Sequence, residues 1–267
     1  MKKLIKSALV VALGAAVLGM MSCQKDNDEH KILEQSGIGA SAKWTVNYTN
    51  DSASTYNRGF NVLSTKHTSG KCTITIADSG DAISGVIGFV FGKTDNADGT
   101  ANFGLVGVQR NSSTSLRYYI SWYSNIDLSK MDGYENFIGL DGKKPADSGA
   151  TAKEQGLTQW QNFTNYGSAG SDVTLIVEVE ATGTVDSNGV VKAAGHDGGY
   201  KITLRRSDGT AILEDNTSLT NTITKMKPDE GTAKQAAIGA YANVYPGKTM
   251  RAKVQMTDVV QELAEEE

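Results

Sequence analysis

Apolar and polar residues alternate along most of this chain with a period of two. In KWTVNYT, Trp44, Val46 and Tyr48 share one face of an extended strand, because successive side chains of a β-strand point to opposite sides. LRYYISWY puts Leu116, Tyr118, Ile120 and Trp122 on one face and Arg117, Tyr119, Ser121 and Tyr123 on the other. The same beat recurs at Leu175, Val177, Val179 and Ala181, at Tyr200, Ile202 and Leu204, and at Met250, Ala252, Val254 and Met256. VIGFVFG and FGLVGV are apolar on both faces, the pattern of central strands covered on two sides. Asp-Gly pairs begin at Asp98, Asp132, Asp141, Asp197 and Asp208. Between apolar stretches they mark hairpins, because the turn needs positive φ. Helix signals are weak, confined to Glu29–Gln35 and to 151–157. The pattern predicts an all-β chain, an antiparallel β-sandwich with its sheets packed face to face.

Two regions break the beat. Between Tyr123 and Val173 periodicity is lost, yet Tyr134, Phe137, Trp160, Phe163 and Tyr166 lie there. A loop this long is functional or disordered, and its aromatics argue against disorder. It is expected to fold over the sandwich, either as part of a site or as a plain cap on a sheet face. The other region is the beginning. Lys2, Lys3 and Lys6 precede an apolar run from Ala8 to Met21, too short for the ~20 residues a helix needs to span a bilayer. The run stops at Ser22-Cys23 and turns into QKDNDEHK. This resembles a bacterial lipoprotein signal peptide, with Met20 where leucine is usual. The resemblance implies cleavage before Cys23, a lipid on its sulfur and an acylated new N-terminus, hence palmitate-like chains holding the protein in the outer membrane. Plain secretion and a retained helix are the alternatives. Asp26, Asp28 and Glu29 resemble a surface-export signal, though any charged linker has such residues. The expected organisation is a signal peptide at 1–22, a lipidated tether at 23–42 and one sandwich at 43–267 carrying the 124–172 insertion.

Charge removes one class of partner. The net charge is −4, and it becomes more negative once the leader lysines are gone. No basic patch stands out, so nucleic acid is not an expected partner. The only cysteines are Cys23 and Cys72, which allows neither a disulfide framework nor a zinc site. Cys72 alternates with Ile74 and Ile76 and reads as a small buried apolar residue.

SGVIGFVFGKTDNADGTANFGLVGVQRNSSTSLRYYISWYSN resembles the centre of a concanavalin A-like lectin/glucanase or laminin G-like domain. TLIVEVEATG…GGYKITLRRSDGTAI and AAIGAYANVYPGKTMRAKVQMTDVV resemble later strands of the same family. The resemblance implies a jelly roll. The family holds sugar-binding lectins, glycan-cleaving enzymes and protein-binding modules, and calcium is frequent in it. Laminarinase-like members carry acids at i, i+2 and i+4 of one strand. Here Glu178 and Glu180 occupy the first two places and Thr182 the third, so a solvated face competes with a catalytic one. His30, His67 and His196 sit beside no nucleophile motif. Asp95, Asn96 and Asp98 offer oxygens that calcium takes, although a plain two-residue type I′ turn at Asp98-Gly99 accounts for the loop without metal. Tyr119 and Tyr123, with Arg117 beside them and Trp160 from the long segment, make the candidate ligand platform, since tyrosine joins a flat apolar ring to a polar tip. Packing of that face beneath residues 124–172 is the competing reading. The expected function is non-catalytic recognition of carbohydrate or a host protein. A glycan-cleaving enzyme and a structural envelope protein without a small ligand are the alternatives.

Overall fold

The computed structural model describes residues 32–78, 83–128, 161–163, 169–182, 184–185, 191–192, 199–213 and 237–261. Among the described residues, the elements are strands apart from one 3-10 turn at Gly39–Ser41. In chain order they are β1 (Glu34–Ser36), β2 (Lys43–Thr49), β3 (Asn57–Ile76), β4 (Gly85–Asp95), β5 (Ala101–Ser112), β6 (Ser115–Ile126) and β7 (Gln161–Phe163). There follow β8 (Val173–Thr182), β9 (Thr184–Val185), β10 (Val191–Lys192), β11 (Gly199–Arg206), β12 (Ala211–Leu213), β13 (Ala237–Val244) and β14 (Thr249–Gln261). The first sheet runs β1-β2-β14-β3-β8-β11-β12 and the second β3-β13-β4-β5-β6-β7, antiparallel throughout. A separate ribbon joins β9 to β10.

Strand β3 belongs to both sheets. Residues Asn57 to Lys66 pair with β13, and His67 to Ile76 pair with β14, the last stretch also with β8. A strand 20 residues long accumulates enough twist to leave one layer and enter the other. Between the layers lies the main core. Trp44, Val46, Ile74, Val177, Ile202 and Val254 face Phe89, Val106, Leu116 and Ile120 there, as the alternation predicts. The indole N–H of Trp44 donates across to Asn61 Oδ1 at 2.9 Å. At one edge, Arg110 of β5 donates to the carbonyls of Ser112, Ser113 and Ser171 and lies 3.3 Å from Asp78, the residue soon after β3. This clasp fastens the second sheet to the first.

Three local expectations change. Glu34–Ser36 pairs with β2 instead of ending a helix. Ile32 and Leu33 are buried in the main core and pack toward Gly59, so the fold starts inside the stretch expected to be tether. The Asp98-Gly99 hairpin is not a two-residue turn. Gly99 N–H donates to Asn96 O at 3.1 Å and Asn96 N–H to Thr100 O at 2.8 Å, which makes a three-residue loop with Gly99 in the left-handed region at φ 85. Arg206 to Thr210 repeats it between β11 and β12. The expected 151–157 helix, Cys23 and most of the 124–172 segment lie outside the described residues.

Candidate functional site

The second sheet is buried on its other face as well. Val86, Val90, Phe103, Leu105, Tyr119, Tyr123, Ile126 and Tyr241 form a second cluster there, which is why β4 and β5 read as apolar on both sides. The register lines this face up in rows that cross β3, β13, β4, β5 and β6. One row is Phe60, Tyr241, Gly88, Gly107 and Tyr119. The next is Arg58, Asn243, Val86, Gln109 and Arg117. An aromatic row thus borders a polar one. Loops gather at the polar end. Asn50, fully buried, donates to the carbonyls of Thr55 and Val244 and accepts from Ser52 N–H and the Asn57 amide. Tyr245 N–H donates to Ser84 O. These bonds hold Tyr56 and Tyr245 above the polar row, ring centroids 5.3 Å apart and edge to face.

The polar row has a fixed hydrogen-bond direction. Arg117 Nε can only donate, so the Gln109 oxygen turns to it. The Gln109 amide nitrogen then faces the other way and donates to the Tyr245 hydroxyl at 2.9 Å. Having accepted there, the Tyr245 hydroxyl keeps its own proton for a different partner. Arg58 lies over the Tyr56 ring at 5.5 Å, a cation–π arrangement. Burial raises the Tyr245 phenol above its ordinary pKa, against the Gln109 hydrogen bond and the charges of Arg117 and Arg58. Burial also lowers the Arg117 guanidinium and pushes Tyr119 and Tyr241 well up, Tyr119 further through its phenol neighbours. Asn243 is 4 % exposed and its Oδ1 accepts no hydrogen bond; Ser121 is fully buried and its Oγ makes none.

Among the described residues of the expected platform, only Arg117 is not buried. Tyr119 and Tyr123 are 0 % and 3 % exposed, so they are not an open surface. Tyr119 lies flat across Gly107 of the next strand, and the Tyr123 ring packs on Phe103 at 5.2 Å. Trp160 lies outside the described residues. Glu178 and Glu180 point to the solvated face of the first sheet, where Glu178 lies 3.7 Å from a half-exposed Lys71. Asp95, Asn96 and Asp98 each have protein partners within the loop and its flanking strands. Asp95 pairs with Lys93, Asn96 bonds Thr100 and Asn102, and Asp98 takes the Thr100 N–H and hydroxyl. Among the described residues no group of three or more His, Cys, Asp or Glu is placed to hold a metal. Arg58, Gln109, Asn243, Tyr56 and Tyr245 escaped the sequence reading. Their signal was polar residues at every second place of otherwise apolar strands, as in Tyr241, Asn243 and Tyr245. Comparison with family models, curated proteins and solved structures finds no match.

Proposed function

We propose that this protein is a lipid-anchored component of the bacterial cell envelope, displayed from the outer membrane, whose sandwich recognises a carbohydrate or a host protein without cleaving it. The observation that carries the reading is the polar row from Arg58 to Arg117 with Tyr56 and Tyr245 over it. Buried polar groups on a sheet face are costly unless they are matched, and an aromatic rim beside guanidinium groups is the composition of recognition surfaces. The resemblance to concanavalin A-like and laminin G-like jelly rolls supports the same class of work. The apolar run ending at Cys23 supports the anchor, since two or three acyl chains on one residue hold firmly where one does not.

Glycan and host-protein arrays probed with the detergent-solubilised full chain test the recognition, with release of reducing sugar measured alongside. Capture lost on Arg117→Ala, with no sugar released, is the expected result; sugar release abolished by Glu178→Gln would replace recognition with hydrolysis. For the anchor, mass spectrometry of the wild type should show acyl chains on Cys23, and Cys23→Ser should accumulate as uncut precursor. Wild-type protein without acyl chains refutes the anchor.

A further inference from the structure

We infer that Ile38 is a second contact with the bilayer: the turn that carries it dips the side chain into the lipid headgroup layer and sets the edge of the first sheet against the membrane. The inference rests on the anchor reading above and adds a residue of the folded body to it.

Ile38 is the one large apolar side chain left exposed among the described residues, at 79 %. A single exposed apolar residue says little by itself. Its support says more. Gly37 precedes it in the left-handed region at φ 71, and a Cβ there would collide with the Ser41 carbonyl oxygen. Ile38 itself is extended, at φ −138 and ψ 157. Its carbonyl accepts from Ser41 N–H at 3.0 Å and from the Ser41 hydroxyl at 2.8 Å. Ala42 N–H donates to Gly39 O, and Met256 N–H to Ala42 O, which ties the turn to β14. The backbone is thus fixed on both sides of a side chain that touches little of the protein. A tip already fixed loses little freedom when it enters another phase.

The place of the turn selects the occupant. Ile32 and Leu33 are buried, so the described body begins nine peptide steps after Cys23. However the intervening residues are arranged, nine steps span at most ~32 Å. Acyl chains on Cys23 therefore hold the start of β1 that close to the lipid, and Ile38 lies on the turn that ends β1. Tethering at this range makes the second contact intramolecular, at an effective concentration on the order of millimolar, so one apolar side chain suffices. Charge supplies no rival pull. Lys43, Asp258, Lys71 and Glu178 alternate in sign across β2, β14, β3 and β8 at this end of the sheet, and Lys71 lies 3.7 Å from Glu178. The contact is apolar, and a zwitterionic bilayer serves.

The full acylated chain in phosphatidylcholine vesicles tests this, once mass spectrometry has confirmed its acyl chains. An environment-sensitive fluorophore goes on Ala40→Cys, an exposed neighbour that leaves Ile38 intact. A second preparation carries it on Ser207→Cys, exposed near the opposite edge of the same sheet. The unsubstituted chain, whose Cys72 is buried, is the blank. The Ala40 probe should emit as in an apolar medium, be quenched by nitroxide lipids and escape aqueous iodide, without dependence on salt. Ile38→Asp should lower its inserted-to-free ratio about tenfold or more, with Tm unchanged because the residue is exposed. The Ser207 probe should stay water-like throughout. Water-like emission at Ala40, or shielding there that survives Ile38→Asp, overturns the inference and leaves the anchor standing. Shielding that nitroxide lipids do not reach and that grows with protein density also overturns it, and makes Ile38 a contact with a second copy. Wild-type protein without acyl chains removes anchor and inference together.

Discussion

A Cβ on Gly107 would come 2.2 Å from the Tyr119 ring. The glycine hydrogen is what lets the phenol lie down on its neighbour strand, so Gly107→Ala must lift the ring or shift the backbone. Overpacking of this kind costs about 1–3 kcal/mol; urea unfolding should show that loss, while the far-UV spectrum stays β. Cys72 is the opposite case, a residue whose reading survives contact with the structure. It is fully buried in the main core and free, and burial pushes its thiol far above the ordinary range. In native protein it should resist a thiol reagent for hours, and react at once in denaturant. Prompt labelling of the native state would mean that the core opens there. Both residues show what alternation conveys. It told which side chains share a face, as for Leu116, Tyr118 and Ile120. It did not tell what lies over the other face, and Arg117 and Ser121 made that face look wet.

At the scale of elements, the long strands were legible because each carries several repeats of the period. Strand β1 was not. Three residues hold too few repeats, and Glu34 and Gln35 are good helix formers; pairing with β2 overrides that preference. The hairpins were legible in place and misread in kind, since Asp-Gly serves both loop lengths. In the β11–β12 loop the Asp208 carboxylate accepts the Thr210 N–H at 2.8 Å, and that bond holds its pKa below the usual carboxylate range. Asp98 is held down in the same way, first by the Thr100 hydroxyl. A lowered folded pKa contributes stability above the ordinary carboxylate range and loses it as pH falls through the lowered value. The Tm gap between wild type and an Asp98→Ala, Asp208→Ala double variant should therefore be present and small at neutral pH. It should close in strong acid; a gap independent of pH would assign it to the loop backbone instead.

The whole molecule was legible as a sandwich, because many two-faced strands have few other ways to bury apolar surface. Strand order was not, nor was the polar row. Arg58 and Asn243 are neighbours only through pairing of residues far apart in the chain, and such pairing leaves no local trace. Arg117 stood out alone because its own strand carries the tyrosines. The folded body as a whole has one clear dependence on pH. Burial raises Tyr118 to about 12 and raises Tyr119, Tyr200, Tyr241 and Tyr245 too. An unfolded tyrosine ionises near ~10. Groups raised in the folded state contribute stability that is complete below that value and lost as pH rises through the folded ones. Stability should thus stay level from neutral to about pH 10 and then fall. Tyrosinate absorbance from these five should appear together with unfolding. Ionisation well before unfolding would show these phenols to be open to water.

Strand β13 lies between β3 and β4, and β14 between β2 and β3. Among the described strands, two late ones therefore fill gaps left between earlier ones. A chain delivered N-terminus first, from a ribosome or through a translocation channel, can close neither sheet until those final strands arrive. Until then β2 has no partner on its β14 side and β3 is paired only along Gly70 to Ile76, with β8. Strand order thus makes closure of both sheets wait for β13 and β14.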